Sequence, residues 1–110
     1  MTVQELLEKL EFEPLSKFSD RNIEGVFISD MVSDVMTAAK SGNLWLTIQT
    51  HKSIIPAANM ADVGAVIITC GKDVPQETVE LASKFEIALL RSELQTFELA
   101  IKLHALGLGS

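Results

Sequence analysis

Two short loops hold the residues with the most chemical potential in this sequence: Thr50, His51 and Lys52 in one, Thr69, Cys70 and Gly71 in the other. The first trio offers a hydroxyl, an imidazole and an ammonium group. The second offers a hydroxyl, a thiol and a glycine whose bare backbone allows a ligand to come close. Consecutive N–H groups in a Thr-Cys-Gly turn can also wrap a phosphate or carboxylate as a small anion nest. The plain alternatives are a solvated loop around His51 and, for 69–71, a strand end turning toward the next helix.

More demanding chemistry lacks its parts. Gly71-Lys72 supplies a GK pair, but Asp73 stands where a phosphate-binding loop needs a hydroxyl for magnesium, and no glycine lies at the required upstream spacing. His51 and Cys70 are two metal ligands where a zinc site needs three or four, and a second copy of the chain would have to complete the set. As a nucleophile, Cys70 would have His51 as its base but no third residue to orient it. The glutamates fall on helix faces and turns without pairing toward one pocket, so no acid–base dyad emerges. No cofactor is expected, and the chain is read as a non-enzyme.

The loops inherit their positions from the elements before them. Leu44–Ile48 and Ala65–Ile68 are apolar runs of strand length, and each ends at one of the two trios. If the strands lie parallel and adjacent, both loops open at the carboxyl edge of one sheet, where open α/β sheets usually bind ligands. Around them the pattern alternates. A capping box, Thr2 with Glu5, opens a helix over 2–10, and Phe12–Leu15 suits a brief edge strand that tolerates Pro14. Ile23–Ile28 reads as a strand. Ser29 or Asp30 then caps a helix with Met31, Val32, Val35, Met36 and Ala39 along one face. Ser53–Met60 is a short helix with Pro56 in its first turn. Gln76 onward is another, with Val79, Ala82 and Phe85 inward. Ile87–Leu90 is the last strand. Ser92 and Gln95 form a capping box for a final helix that turns Leu94, Phe97, Ile101 and Leu103 or Leu106 inward. This alternation predicts an α/β fold, a single compact domain over 1–110 with a mostly parallel sheet flanked by helices.

Composition narrows the class. The chain has 110 residues, of which 47% are apolar, enough for one core without disulfide staples. Its net charge of −6, with nine scattered Lys and Arg, opposes any nucleic-acid backbone. One cysteine suits a reducing cytoplasm. No apolar run approaches the roughly 20 residues of a membrane span, and MTVQELLEKL lacks the pattern of a signal peptide. A cytoplasmic protein with no membrane partner is expected. The generous apolar share points to a self-association face, with Trp45 as either core or interface anchor and Met31, Met36 and Met60 as either core or a soft contact surface.

The stretch GVFISDMVSDVMTAAKSGNLWLTIQTHKSIIPAANMADVGAVIITCGKDVPQETVELASKFEIALLRSELQTFELA resembles the DRTGG domain, from about Ile23 to Leu103. That module precedes the kinase domain of HPr kinase/phosphorylase and also occurs in phosphotransacetylases, between CBS modules of pyrophosphatases and as free-standing proteins. His51-Lys52 stands where the family usually carries Asp-Arg, and Thr69-Cys70-Gly71 stands for its Thr-Gly-Gly. The resemblance implies a regulatory, dimer-forming module associated with adenine nucleotides. A kinase label would belong to the relatives' neighbouring domain.

The expectation is therefore a cytosolic homodimer acting on a partner enzyme. It would bind a small anion, an adenine nucleotide being one candidate, at Thr50, His51, Lys52, Thr69, Cys70 and Gly71. Two other readings stay open: an interaction subunit of a metabolic or redox assembly with no small ligand, and a Cys/His enzyme or metal site.

Overall fold

A computed structural model describes residues 1–109. Five helices and five strands alternate: α1 (Val3–Lys9), β1 (Glu13–Pro14), β2 (Val26–Ile28), α2 (Val32–Ala38), β3 (Leu44–Thr47), α3 (Ile54–Ala61), β4 (Ala65–Ile68), α4 (Gln76–Lys84), β5 (Ala88–Arg91) and α5 (Thr96–Ala105). One sheet runs β1-β5-β4-β3-β2, parallel except for β1, which pairs antiparallel with β5. Trp45 sits beside Val66 and Thr47 beside Ile68, so the two strands carrying the loops are parallel neighbours and the condition for a shared carboxyl edge is met.

From β2 to β5 each crossover steps the same way across the sheet. Crossovers of one hand then leave their helices on one face. The core confirms this division. One buried cluster joins Val35 of α2, Ile54, Ile55, Ala57 and Ala58 of α3 and Ala82 of α4 to Trp45, Val66, Ile68 and Leu89. The other joins Val3 and Leu6 of α1 and Leu99 and Leu103 of α5 to Leu44, Leu46, Ala65, Ile67, Ala88 and Leu90. Alternate strand residues serve opposite faces, and both faces are covered, which is why the strands read as unbroken apolar runs.

Several element limits differ from expectation. β2 is only Val26–Ile28; Ile23 is buried, but it precedes the strand and its N–H donates to the Met1 carbonyl. β5 begins one residue late, at Ala88. Neither Ser29 nor Asp30 is the cap of α2, which starts after Met31 without a side-chain cap bond. Met31, Met36 and Met60 are exposed, as is Phe85, which was expected inward. At the C-terminal end the capping box is Gln95 with Glu98. Ser92 instead accepts from the Leu94 N–H in a local turn. Leu99 and Leu103 face inward while Phe97 and Ile101 are 75% and 53% exposed. This helix carries two apolar stripes, and the one covered, Leu99 and Leu103, joins the cluster of sheet residues and α1.

Candidate functional site

Beyond β3 the chain is pinned before it reaches the first trio. Thr47 donates its hydroxyl to the Asp30 carboxylate at 2.9 Å, and the Ile48 N–H reaches the same oxygen at 3.0 Å. The Gln49 side-chain carbonyl then accepts from the N–H groups of both Thr50 and His51, each at 3.1 Å. Thr78, fully buried on α4, donates its hydroxyl to the Thr50 carbonyl at 2.8 Å. His51 Nδ1 accepts from the Ser53 N–H at 3.1 Å, which leaves the ring proton of the neutral imidazole on Nε2, facing outward from that bond. Lys52 Nζ lies 2.7 Å from Glu77 Oε1. The hydrogen bond and charge of Lys52 hold the Glu77 carboxyl below its ordinary range.

His51, Lys52, Ser53 and Glu77 border a hollow of about 450 Å³ between α3 and α4, whose lining does not include Thr50. Pro56 and Leu81 form its apolar side; His51, Lys52, Lys84, Glu77 and Glu80 ring it. Its size falls within the roughly 300–1,000 Å³ of small-molecule sites.

Beyond β4 the geometry is different. Cys70 and Gly71 both take left-handed backbone, with φ of 63° and 61°. Such a turn could form an anion nest if its amides were free. They are not. The Thr69 N–H donates to the Thr47 carbonyl at 3.0 Å, Cys70 N–H to Leu94 at 2.8 Å and Gly71 N–H to Ser92 at 2.8 Å. The expected nest is thus closed by the chain's own loop before α5. Thr69, fully buried, sits 2.7 Å from the Thr96 hydroxyl at the start of α5, and Cys70 Sγ lies 3.4 Å from Gln95 Oε1. A Cβ on Gly71 would meet the end of the Glu93 side chain, and the positive φ itself favours glycine there.

Both trios leave the same sheet edge and are tied by the Thr69–Thr47 bond, yet they turn to opposite faces. Thr50, His51 and Lys52 go to the α3–α4 side; Thr69, Cys70 and Gly71 go to α5. The hollow beside His51 includes none of the second trio. Among the described residues, no three His, Cys, Asp or Glu side chains cluster to hold a metal ion.

Comparison with protein-family models matches the DRTGG domain over residues 5–106. The chain belongs to the DRTGG-domain family. Among solved structures, this DRTGG domain is similar to the CBS and DRTGG domains of the regulatory region of Clostridium perfringens pyrophosphatase, complexed with its activator diadenosine tetraphosphate. The TM-score is 0.66 at 18% identity, covering 87% of this chain and 43% of that one. The DRTGG domain therefore spans less than half of that regulatory region and shares its fold. Comparison with curated proteins gives no match.

Sequence reasoning about the DRTGG domain missed the residues that hold its loops. Asp30, read as a helix cap, braces the end of β3 instead. Its position just past β2, at the shared carboxyl edge, was the available signal. Arg91, at the matching end of β5, donates to the Gly71 carbonyl at 2.8 Å and lies 3.1 Å from Glu13, 3.6 Å from Glu93 and 3.8 Å from Asp73. A lone arginine ending an apolar strand was the signal there.

Proposed function

We propose that this DRTGG domain is a non-catalytic regulatory module that binds an adenine nucleotide or similar small anion and acts as a dimer on a partner enzyme. The family match over residues 5–106 carries the reading. The pyrophosphatase regulatory region that shares the fold is complexed with an adenine-containing activator, which supports the ligand class.

In this chain the hollow between α3 and α4 suits that chemistry better than the occupied turn at 69–71. An adenine ring needs a flat apolar wall, and Pro56 with Leu81 supplies one. Phosphates need cations, and Lys52 and Lys84 stand at the rim. Lys52 is already paired with Glu77, so a phosphate must compete with that carboxylate. His51 adds an Nε2 donor, and Thr50 positions the pair through its bond to Thr78. Thr69, Cys70 and Gly71 then serve the ligand indirectly, by fixing the neighbouring strand end. Phe97 and Ile101, one turn apart and exposed on α5, support a dimer face. A ligand preferring one of two dimer arrangements would shift their populations, and that preference is what regulation requires.

The test is calorimetry with ATP and diadenosine tetraphosphate against wild type, Lys52→Ala and Glu77→Gln. Saturable binding is expected, weakened in Lys52→Ala and strengthened in Glu77→Gln. No heat from folded protein at about 1 mM ligand would reject the ligand-binding reading. A second reading, an interaction subunit with no small ligand, is favoured by the committed amides at 69–71 and the exposed apolar residues on α5. It would stand if that calorimetric test came back blank.

A further inference from the structure

A second, larger concavity lies on the opposite face of the sheet. It measures about 880 Å³ and runs between the end of α1, β1, the loop at 92–94 and α5. Leu7, Leu10, Phe12, Leu94 and Leu99 form its floor. All but Leu99 are only half-buried, so the floor is an apolar surface left partly open to water. Glu8, Glu11, Glu13 and Glu93 ring it against Lys9, Lys102 and the Arg91 guanidinium that lies 3.1 Å from Glu13 and 3.6 Å from Glu93, which leaves an excess of one negative charge, on the side of Glu8 and Glu11. From this we infer that the groove docks a basic amphipathic helix of a partner protein.

Three observations select that occupant. The floor asks for a row of apolar side chains, and the acidic rim asks for cations beside them. Together these describe the two faces of a Lys/Arg-rich amphipathic helix. Strand addition is denied at the bordering sheet edge. The Leu15 N–H bonds inward to Leu89, so the preceding residue, Pro14, puts its ring nitrogen on the outer edge, where it has no hydrogen to donate. A partner must therefore engage by side chains. Finally, the whole chain carries −6, so its long-range field draws a basic segment toward the rim. The groove is built from α1 and α5 and the nucleotide hollow from α3 and α4, so this inference stands whether or not a nucleotide binds.

The experiment is fluorescence anisotropy with the intact chain and three labelled 14-residue peptides. One is Leu and Lys at helical spacing, one is the same with Glu for Lys, and one is a scramble of the first. Binding is expected for the Leu/Lys helix alone. It should weaken about tenfold in the exposed-rim variant Glu8→Lys/Glu11→Lys. It should also weaken when salt rises from about 0.1 M to 1 M, as the screening length shrinks from about 10 Å to about 3 Å. Thermal melting of the variant checks that it is folded, and Leu94→Gln tests the floor separately. Equal binding of the acidic or scrambled peptide, or binding unmoved by the rim variant, would overturn the inference. So would a self-associated species that the rim variant disperses, because a second copy would then occupy the groove.

Discussion

Replacing Thr69 by Val asks what the Thr69-Cys70-Gly71 turn is for. The side chain is fully buried, and its hydroxyl meets the Thr96 hydroxyl at 2.7 Å and accepts a weak bond from the Cys70 thiol at 3.7 Å. Valine keeps the shape and suits a strand end, so no cavity term enters. What is lost is one buried hydroxyl pair, leaving Thr96 facing a methyl group. Such a loss costs about 1–2 kcal/mol. In a domain of this size that is a drop of about 4–8 °C in Tm. Thr96→Val leaves the fully buried Thr69 oxygen with only the weak Cys70 thiol donor and should cost about 1–3 kcal/mol. The double variant removes both polar groups together, so it should be less damaging than the sum of the singles by about 1 kcal/mol. Urea denaturation of the four proteins measures the cycle, and calorimetry beside it reads nucleotide binding. The turn as a brace for α5 requires coupling in the cycle and unchanged binding at the hollow on the other face. Additive losses, or a Thr69→Val protein of full stability that no longer binds nucleotide, would refute it.

Three further outcomes are expected. Gly64→Ala puts a methyl 2.6 Å from Ile23 Cγ2 and 3.0 Å from the Gly42 carbonyl. Ile23 is fully buried and the carbonyl is backbone, so a loss of about 1–3 kcal/mol or more should appear in thermal melting, and a wild-type Tm would contradict it. Ile101→Glu on the exposed stripe of α5 should convert a dimer to a monomer in sedimentation while leaving Tm close to that of the parent; an unchanged mass would move the dimer face elsewhere. The Asp62 carboxyl is held below its ordinary value, first by the Ser41 hydroxyl and then by Arg21. Its contribution to stability is therefore present above about pH 4 and is lost as pH falls through the lowered folded value. Asp62→Asn should fall short of wild type by at most about 1 kcal/mol at pH 7, since the pair is exposed, with the gap closing in acid. A gap that widens in acid would contradict this origin.

What was legible in the sequence follows from the range of the interaction involved. The β4 run, Ala65–Ile68, is bounded by Gly64 and by a polar turn, so local pattern alone locates it. The parallel sense of β3 and β4 was legible from the helix between them, but their adjacency was not, because a crossover helix also fits strands that are not neighbours. The limits of β2 were not, because Ile23 is as apolar and buried as a strand residue while its N–H is spent on Met1. The inward stripe of α5 was ambiguous in principle: Phe97 and Ile101 fit the helical period as well as Leu99 and Leu103 do. The site suffered most from distance along the chain. Whether the amides at 69–71 are free depends on carbonyls at 92 and 94, and the state of Lys52 depends on Glu77, twenty-five positions away. Residue types at two loops gave the chemistry on offer. They could not say which groups were already engaged.

The strand order explains why the two loops part. Ligand crevices in open α/β sheets form where the order reverses and adjacent loops leave toward opposite faces around an opening. Here β2, β3, β4 and β5 follow in sequence without reversal with α2, α3 and α4 on one face, and the chain returns to the face of α1 only after β5, where α5 crosses to join it. The turn at 69–71 is recruited by that crossing: its amides bind the loop that carries the chain over, and Thr69 meets the first residue of α5. The edge that would otherwise hold a ligand is spent on holding the helix. This leaves the α3–α4 hollow and the α1–α5 groove on separate faces, bordered by different helices, so that neither proposed occupant excludes the other. Any influence between them must pass through the sheet edge, where Thr78 holds Thr50 on the side of the hollow and the Thr69 N–H to Thr47 bond joins the end of β3 to the strand whose turn meets α5. Because coupling between two binding sites is reciprocal, a Thr78→Val variant that alters nucleotide affinity only in the presence of the basic helix would locate the connection. A variant that changes each affinity by the same factor with and without the other ligand would show the faces to be independent.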